Sequence, residues 1–230
     1  IKVFRRMKCF LISDSHGFHN QIVIPPDIDC IIHSGDSTNY WELYKNQLEA
    51  DSFIDWFSKL DIKYKVMCGG NHDHYLMKKY NIDKIKDLGI IYNEHGYEEV
   101  NGRLFFLSNY TPTFGDWFFM KDRVKISRYW EELIEGIDVL VTHGPCHSLL
   151  DSSFDRMGKL EFCGDKSLLR KVLQINPKIH TFGHIHSMDG INNYGMRTIS
   201  EINTIFYNSS MVHDNKFEAG IINKGHIINI

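Results

Sequence analysis

Short apolar runs punctuate the chain, and each stops abruptly at polar residues. They are Cys9–Ile12, Ile28–Ile32, Tyr64–Cys68, Arg103–Leu107, Asp138–Thr142 and Ile179–Phe182. Runs this short suit strands buried on both faces of a sheet. Between them the spacing predicts helices. From Trp41 to Leu60, apolar residues recur near i, i+3 and i+4 (Trp41, Tyr44, Leu48, then Phe53, Phe57, Leu60), and residues 125–135 and 165–175 follow the same rhythm. From residue 196 onward the pattern reads as antiparallel strands, with Asn223-Lys224-Gly225 as a turn. Alternating strands and helices predict an α/β fold with a largely parallel core. Such sheets bind ligands beyond the carboxyl ends of their strands.

Composition narrows the picture. The chain has 230 residues, five prolines, no repeat and no Pro/Gly/Ser linker, so residues 1–230 read as a single domain. Residues 1–7 read as an upstream extension or an expression remnant, because Met7-Lys8 directly precedes the first strong strand. A formal net charge of −3 gives no electrostatic case for duplex nucleic acid or an anionic membrane as the main partner. No apolar run approaches the ~18 residues of a membrane span, and no apolar leader precedes a small-residue cleavage site. Cys9, Cys30 and Cys68 lie inside apolar runs; with Cys146 and Cys163 the cysteines are odd in number. They read as reduced thiols rather than a disulfide framework or zinc ribbon, and the expected location is cytoplasmic.

The chemistry lies just past the runs. The first is followed by Asp14-Ser15-His16, the second by Gly35-Asp36, the third by Gly69-Gly70-Asn71-His72-Asp73; later runs give His143-Gly144 and Gly183-His184-Ile185-His186. Each motif alone is weak, since a lone histidine after a strand is more often structural. Five metal-competent motifs at the same end of successive strands, with adjacent glycines that permit close approach, point to an ion site. By the same weighing, His33 reads as a core histidine and His74 as an exposed loop histidine, and His19 carries no support beyond its place near the first motif.

In this order the motifs resemble those of the calcineurin-like metallophosphoesterases. Residues 24–36, 112–118, 137–145 and 176–186 are further similar to the metallophosphoesterase-domain-containing branch, a resemblance that covers roughly residues 8–212. It implies a four-layer sandwich of two mixed β-sheets flanked by helices. It also implies two metal sites: Asp14, His16, Asp36 and His186 for one, and Asp36, Asn71, His143 and His184 for the other, with Asp36 bridging. His72 would sit beside the substrate without ligating, with Asp73 as its partner. Members of this fold can lose ligands and become binding scaffolds, but here none is missing. Asn39 stands where many relatives carry another Asp, and Asn109-Tyr110 where the branch often has Pro-Trp.

Two divalent ions ~3.5–4 Å apart would neutralise a phosphoester and generate hydroxide near neutral pH. With Asp14 and Asp36 as the anionic ligands, a hydroxide and one diester anion balance the charge, which favours diesters over monoesters. Imidazole, carboxylate and amide ligands suit Mn, Fe or Zn. His72 is the candidate general acid, worth ~10²–10⁴ in rate. Tyr110 and Trp117 lie in an aromatic segment that either overhangs the site and stacks on a nucleobase or packs as a buried loop. Arginines, which protein phosphatases of this fold place beside the second and third motifs, are absent there. The leading expectation is a metal-dependent phosphodiesterase acting on small molecules, nucleotides and cyclic nucleotides included. A phosphomonoesterase, a nuclease and a non-catalytic scaffold remain the alternatives.

Overall fold

The structure is a computed structural model and describes residues 6–230. Of the expected extension, residues 1–5 lie outside the described residues. Met7 is buried, and its main chain exchanges two hydrogen bonds with Ile230 (2.9 and 3.0 Å).

The amino-terminal part supplies strands β1 (Lys8–Ile12), β2 (Cys30–Ser34), β3 (Tyr64–Cys68) and β4 (Ile90–Tyr92), then the hairpin β5 (His95–Val100) and β6 (Arg103–Ser108). A short pair follows, β7 (Thr111–Pro112) and β8 (Met120–Lys121). Next come β9 (Val139–Thr142), the hairpin β10 (Ser152–Phe154) and β11 (Leu160–Phe162), and β12 (Ile179–Phe182). Strands β13 (Gly195–Arg197), β14 (Ile205–Asn208) and β15 (His226–Asn229) end the series. The helices are α1 (Leu43–Lys59), α2 (Lys79–Asp87), α3 (Ser127–Trp130) and α4 (Lys166–Ile175).

Two sheets of mixed direction form the core. One has the order β15-β1-β2-β3-β4, parallel except for β15; the other has the order β13-β14-β12-β9-β6-β5, parallel except for β13 and β5. Alternate residues of each strand enter different layers, as the pleat requires. Cys9 and Leu11 of β1 join Ile32, Val66, Phe105, Leu107, Val139 and Val141 in the cluster between the sheets. Phe10 and Ile12 face outward, into the cluster that holds Phe53 and Phe57 of α1. On the far side, Leu140, Phe182 and Phe206 pack with Trp130, Leu168 and Val172. Helix, sheet, sheet, helix is the expected four-layer α/β sandwich. All five cysteines are free thiols.

Three local expectations are corrected. The buried stripe of α1 is Asn46, Ala50, Phe53, Ile54 and Phe57, so Trp41, Tyr44 and Leu48 are exposed despite their helical spacing. Residues 125–135 bury Ile126, Trp130 and Leu133, but the helix itself is only Ser127–Trp130, and the chain continues as turns to Gly136 at φ 91°. The last third of the chain is not wholly antiparallel: β14 runs parallel to β12, and a 3₁₀ segment, Asp214–Ala219, interrupts the strands. Among the described residues, no helix is long and apolar enough to cross a membrane.

Candidate metal centre

All five motifs emerge from the carboxyl ends of parallel strands, β1, β2 and β3 in one sheet and β9 and β12 in the other. Main-chain hydrogen bonds zip their loops together: Asp14 N–H to the Gly35 carbonyl (2.9 Å), His16 N–H to the Asp36 carbonyl (3.1 Å) and Gly183 N–H to the His143 carbonyl (3.0 Å). Asp14, His16, Asp36 and His184 all adopt left-handed backbone with φ between 42° and 68°. Each such residue costs about 1–3 kcal/mol and persists where the surroundings enforce it, which is common at functional sites. Two glycines make the crowding possible. A Cβ on Gly70 would run into the Asp36 carboxylate and the His143 ring, and one on Gly183 into Asp14 and Ser13.

The donor atoms cluster in overlapping sets whose members lie within 4.8 Å of one another: Asp14, His16 and His186; His16, Asp36 and His72; and Asp36, His143 and His184. Asp36 belongs to two of them, with its Oδ2 at 3.9 Å from His16 Nε2 and 3.3 Å from His143 Nε2. Asp14 Oδ1 is 3.3 Å from His186 Nε2, and Asn71 Oδ1 is 3.0 Å from His143 Nε2. The structure thus brings together every residue expected to ligate: Asp14, His16, Asp36, Asn71, His143, His184 and His186.

The outer edges of the imidazoles are held as well. Nδ1–H of His16 donates to the Thr38 carbonyl (3.1 Å), that of His143 to the Ser34 carbonyl (3.0 Å) and that of His186 to Asp214 Oδ1 (2.6 Å). These oxygens only accept, so one proton is fixed on Nδ1, and Nε2, the nitrogen that ligates once it has shed any proton of its own, faces the cluster. That is the arrangement of a metal-binding histidine. The donor chemistry fits divalent transition-metal cations. Asp214 was not anticipated from the sequence; it sits 28 positions from His186, in the irregular 3₁₀ segment.

Charge inside the cluster is unevenly shared. Burial opposes ionisation of Asp14, yet its hydrogen bond and attraction to His186 lower it to about 2. Burial likewise opposes ionisation of Asp36, but His143, His72 and His16 together hold it well below the ordinary carboxylate range. Burial pushes His16 and His184 down to about 3. Burial also works against charge on His143 and His186, but Asp36 outweighs it and raises His143 to about 9, while Asp14 and Asp214 raise His186 to about 10.

His72 lies at the half-buried mouth of the cluster. Its main-chain N–H donates to Asp36 Oδ1 (2.7 Å) and its Nδ1–H to the Asn39 carbonyl (3.0 Å). Trp117 packs on its ring at 4.3 Å, and Trp41 packs edge-on against Trp117 at 5.0 Å. Asp73 does not support His72 as expected. Its carboxylate accepts from the N–H and hydroxyl of both Ser37 and Thr38 and from Gly70 N–H (2.7–3.2 Å). It therefore ties two metal-site loops together, and the residue that orients His72 is Asn39, through its main chain. For Tyr110 the structure takes the packed alternative over the substrate-binding one. It is buried among His95, Tyr129 and Lys121, with its hydroxyl on Glu94 (3.0 Å), so it packs the fold and does not line the site. His33 is the core histidine expected, and His19 is buried against Ser52. His74 is also buried, under Phe118 and the Tyr40 carbonyl, because the chain turns back beneath them rather than into solvent.

A family model described as calcineurin-like phosphoesterase matches residues 7–188, which include all five motifs. The chain belongs to the calcineurin-like phosphoesterase family. This phosphoesterase is 31% identical over 222 residues to a UPF0046 protein of Caenorhabditis elegans, across 89% of this chain and 69% of that one. It is 28% identical over 241 residues to human metallophosphoesterase domain-containing protein 1, across 92% of this chain and 71% of that protein. Among solved structures it resembles phosphopantetheinyl hydrolase of Mycobacterium tuberculosis with a TM-score of 0.64 at 13% identity, covering 99% of this chain and 97% of the other, a likeness of fold. The phosphoesterase is thus a phosphoric ester hydrolase of a divalent-metal family, with His and Asp groups placed to hold metal. Asp214 lies beyond the matched residues, yet it holds one of these groups.

Proposed function

We propose that this phosphoesterase hydrolyses small-molecule phosphodiesters, nucleotides and cyclic nucleotides among them, using two divalent transition-metal ions. The observation that carries the reading is the run of three overlapping donor sets, two of which contain Asp36. Asp14, His16, Asp36 and His186 would hold one ion, and Asp36, Asn71, His143 and His184 the other. Bound there, the ions would neutralise the ester oxygens and make water acidic enough to attack near neutral pH. Asp14 and Asp36 are the cluster's carboxylates; with two divalent ions and one hydroxide they would leave a single positive charge, which suits a singly charged diester better than a dianionic monoester.

His72 does the proton work in this reading. With Nδ1–H on the Asn39 carbonyl, its Nε2 is the atom left to face substrate, where the protonated ring gives its proton to the departing oxygen. Trp117 keeps the ring from swinging away and offers a flat indole to a base or other planar group. The chain places no arginine beside Asp36 or Asn71 to clamp a dianionic monoester.

The test is hydrolysis of bis(4-nitrophenyl) phosphate and 4-nitrophenyl phosphate by protein loaded with Mn²⁺, Fe²⁺ or Zn²⁺, followed by 2′,3′-cyclic, 3′,5′-cyclic and linear dinucleotides. Diester turnover well above monoester turnover is expected. The reverse order would make the protein a phosphomonoesterase, and no turnover with any metal would leave a scaffold.

A further inference from the structure

A cavity of about 940 Å³ opens beside the metal centre and shares His184 with it. Phe114, whose ring is 5.2 Å from that of His184, and Phe162 of the β10–β11 hairpin give it apolar walls. Three exposed cations, Arg123, Lys166 and Arg170, line the same cavity. Among the described residues none of the three forms an ion pair. Arg123 is steadied by both its Nη atoms, which donate to the Cys163 carbonyl at 3.4 Å.

Two carboxylates also line the cavity, Glu161 and Asp165. Asp165 is engaged internally: its Oδ2 accepts from Trp130 Nε1–H (2.6 Å) and its Oδ1 from the Ser167 N–H and hydroxyl (both 2.7 Å). Both carboxylates keep their charge, so the three cations exceed the two anions by one. A net positive wall in a chain whose formal charge is −3 is a local concentration, not an average of the surface.

We propose that this cavity binds a second phosphate carried by the substrate, so that the preferred substrates are phosphodiesters bearing a terminal phosphomonoester. The inference rests on the phosphodiesterase reading above. One diester anion already satisfies the charge of the metal centre, so a further anion needs cations of its own. Guanidinium groups match phosphate oxygens in fork geometry, and Phe114 and Phe162 would cover the organic part between the two phosphates. The cations are exposed and their contacts are screened by salt, so the expected preference is about tenfold rather than thousands-fold.

The test compares kcat/KM of metal-loaded protein for a linear dinucleotide with and without a 5′-terminal phosphate, in the wild type and in the Arg123→Ala/Arg170→Ala double variant. The wild type is expected to favour the 5′-phosphorylated form about tenfold through KM, more at low salt, and the variant to show a ratio near one. The ratio is taken within one protein, so general damage to the variant cancels, and thermal unfolding checks its fold. No preference in the wild type, or the same preference in both proteins, overturns the subsite. Failure of both dinucleotides and of bis(4-nitrophenyl) phosphate to turn over would refute the phosphodiesterase reading instead. The subsite is then read from equilibrium binding of the same two dinucleotides, where tighter binding of the phosphorylated form by wild type alone supports it and equal binding overturns it.

Discussion

His72→Ala removes an imidazole held by the Asn39 carbonyl, by the face of Trp117 and by the edge of His16, whose ring is 4.8 Å away. It leaves intact the main-chain N–H that donates to Asp36 Oδ1 at 2.7 Å. The variant should therefore keep its metal while losing its proton donor. A positioned acid contributes ~10²–10⁴ in rate, and that contribution is needed only when the leaving oxygen is strongly basic. For a nucleoside alkoxide the expected loss in kcat is about 10³, equivalent to ~4 kcal/mol. For 4-nitrophenolate, which departs without help, about tenfold or less is expected. The assay is steady-state kinetics on both substrate types, with metal content measured on the same preparations. Equal losses on the two leaving groups would refute acid catalysis. Loss of metal would instead make His72 a ligand, as its place in a donor set with His16 and Asp36 permits.

Asp214→Ala breaks a charge-assisted hydrogen bond to His186; such outer partners are typically worth 10–100-fold in metal affinity. Asp214 is 46% exposed, so a loss of about tenfold by calorimetry at pH 8 is expected, with Asp214→Asn intermediate. Metal uptake should weaken as pH falls. His143 and His186, raised to about 9 and about 10, carry protons at neutral pH that a cation must displace, whereas His16 and His184, lowered to about 3, carry none. Affinity should therefore rise with pH until about 9 to 10, with about two protons released on full loading at pH 7; calorimetry in buffers of different ionisation enthalpy counts them, and four or none would contradict this charge pattern. Gly183→Ala drives a Cβ into Asp14 and Ser13. A stability loss of ~1–3 kcal/mol by thermal unfolding, together with weaker metal binding, is the expected result.

The clustering of the candidate donors was legible because its physics is local. Each candidate donor follows a strand whose apolar run marks it, and parallel strands deliver their carboxyl ends to one edge. What stayed hidden depends on tertiary contact. Asp214 lies in a segment with no hydrophobic rhythm, so nothing in its own neighbourhood connects it to His186. The resemblance implied Asp73 as the partner of His72; its carboxylate instead accepts from five donors, on Ser37, Thr38 and Gly70. Trp41, Tyr44 and Leu48 carry helical spacing, yet periodicity alone could not say which of two apolar stripes on α1 meets the sheet. Trp41 is exposed beside Trp117 at the mouth of the centre, so its apolar surface extends the wall over His72.

The most direct test of the central claim is a titration of metal-stripped protein with Mn²⁺ while bis(4-nitrophenyl) phosphate hydrolysis is followed. No turnover is expected without metal, activity should saturate at two equivalents per chain, and Asp36→Asn should lose both equivalents, because Asp36 would bridge the ions and stands in two of the three overlapping donor sets. Full activity in the metal-stripped chain, saturation at one equivalent, or an Asp36→Asn variant that still binds two ions would contradict it.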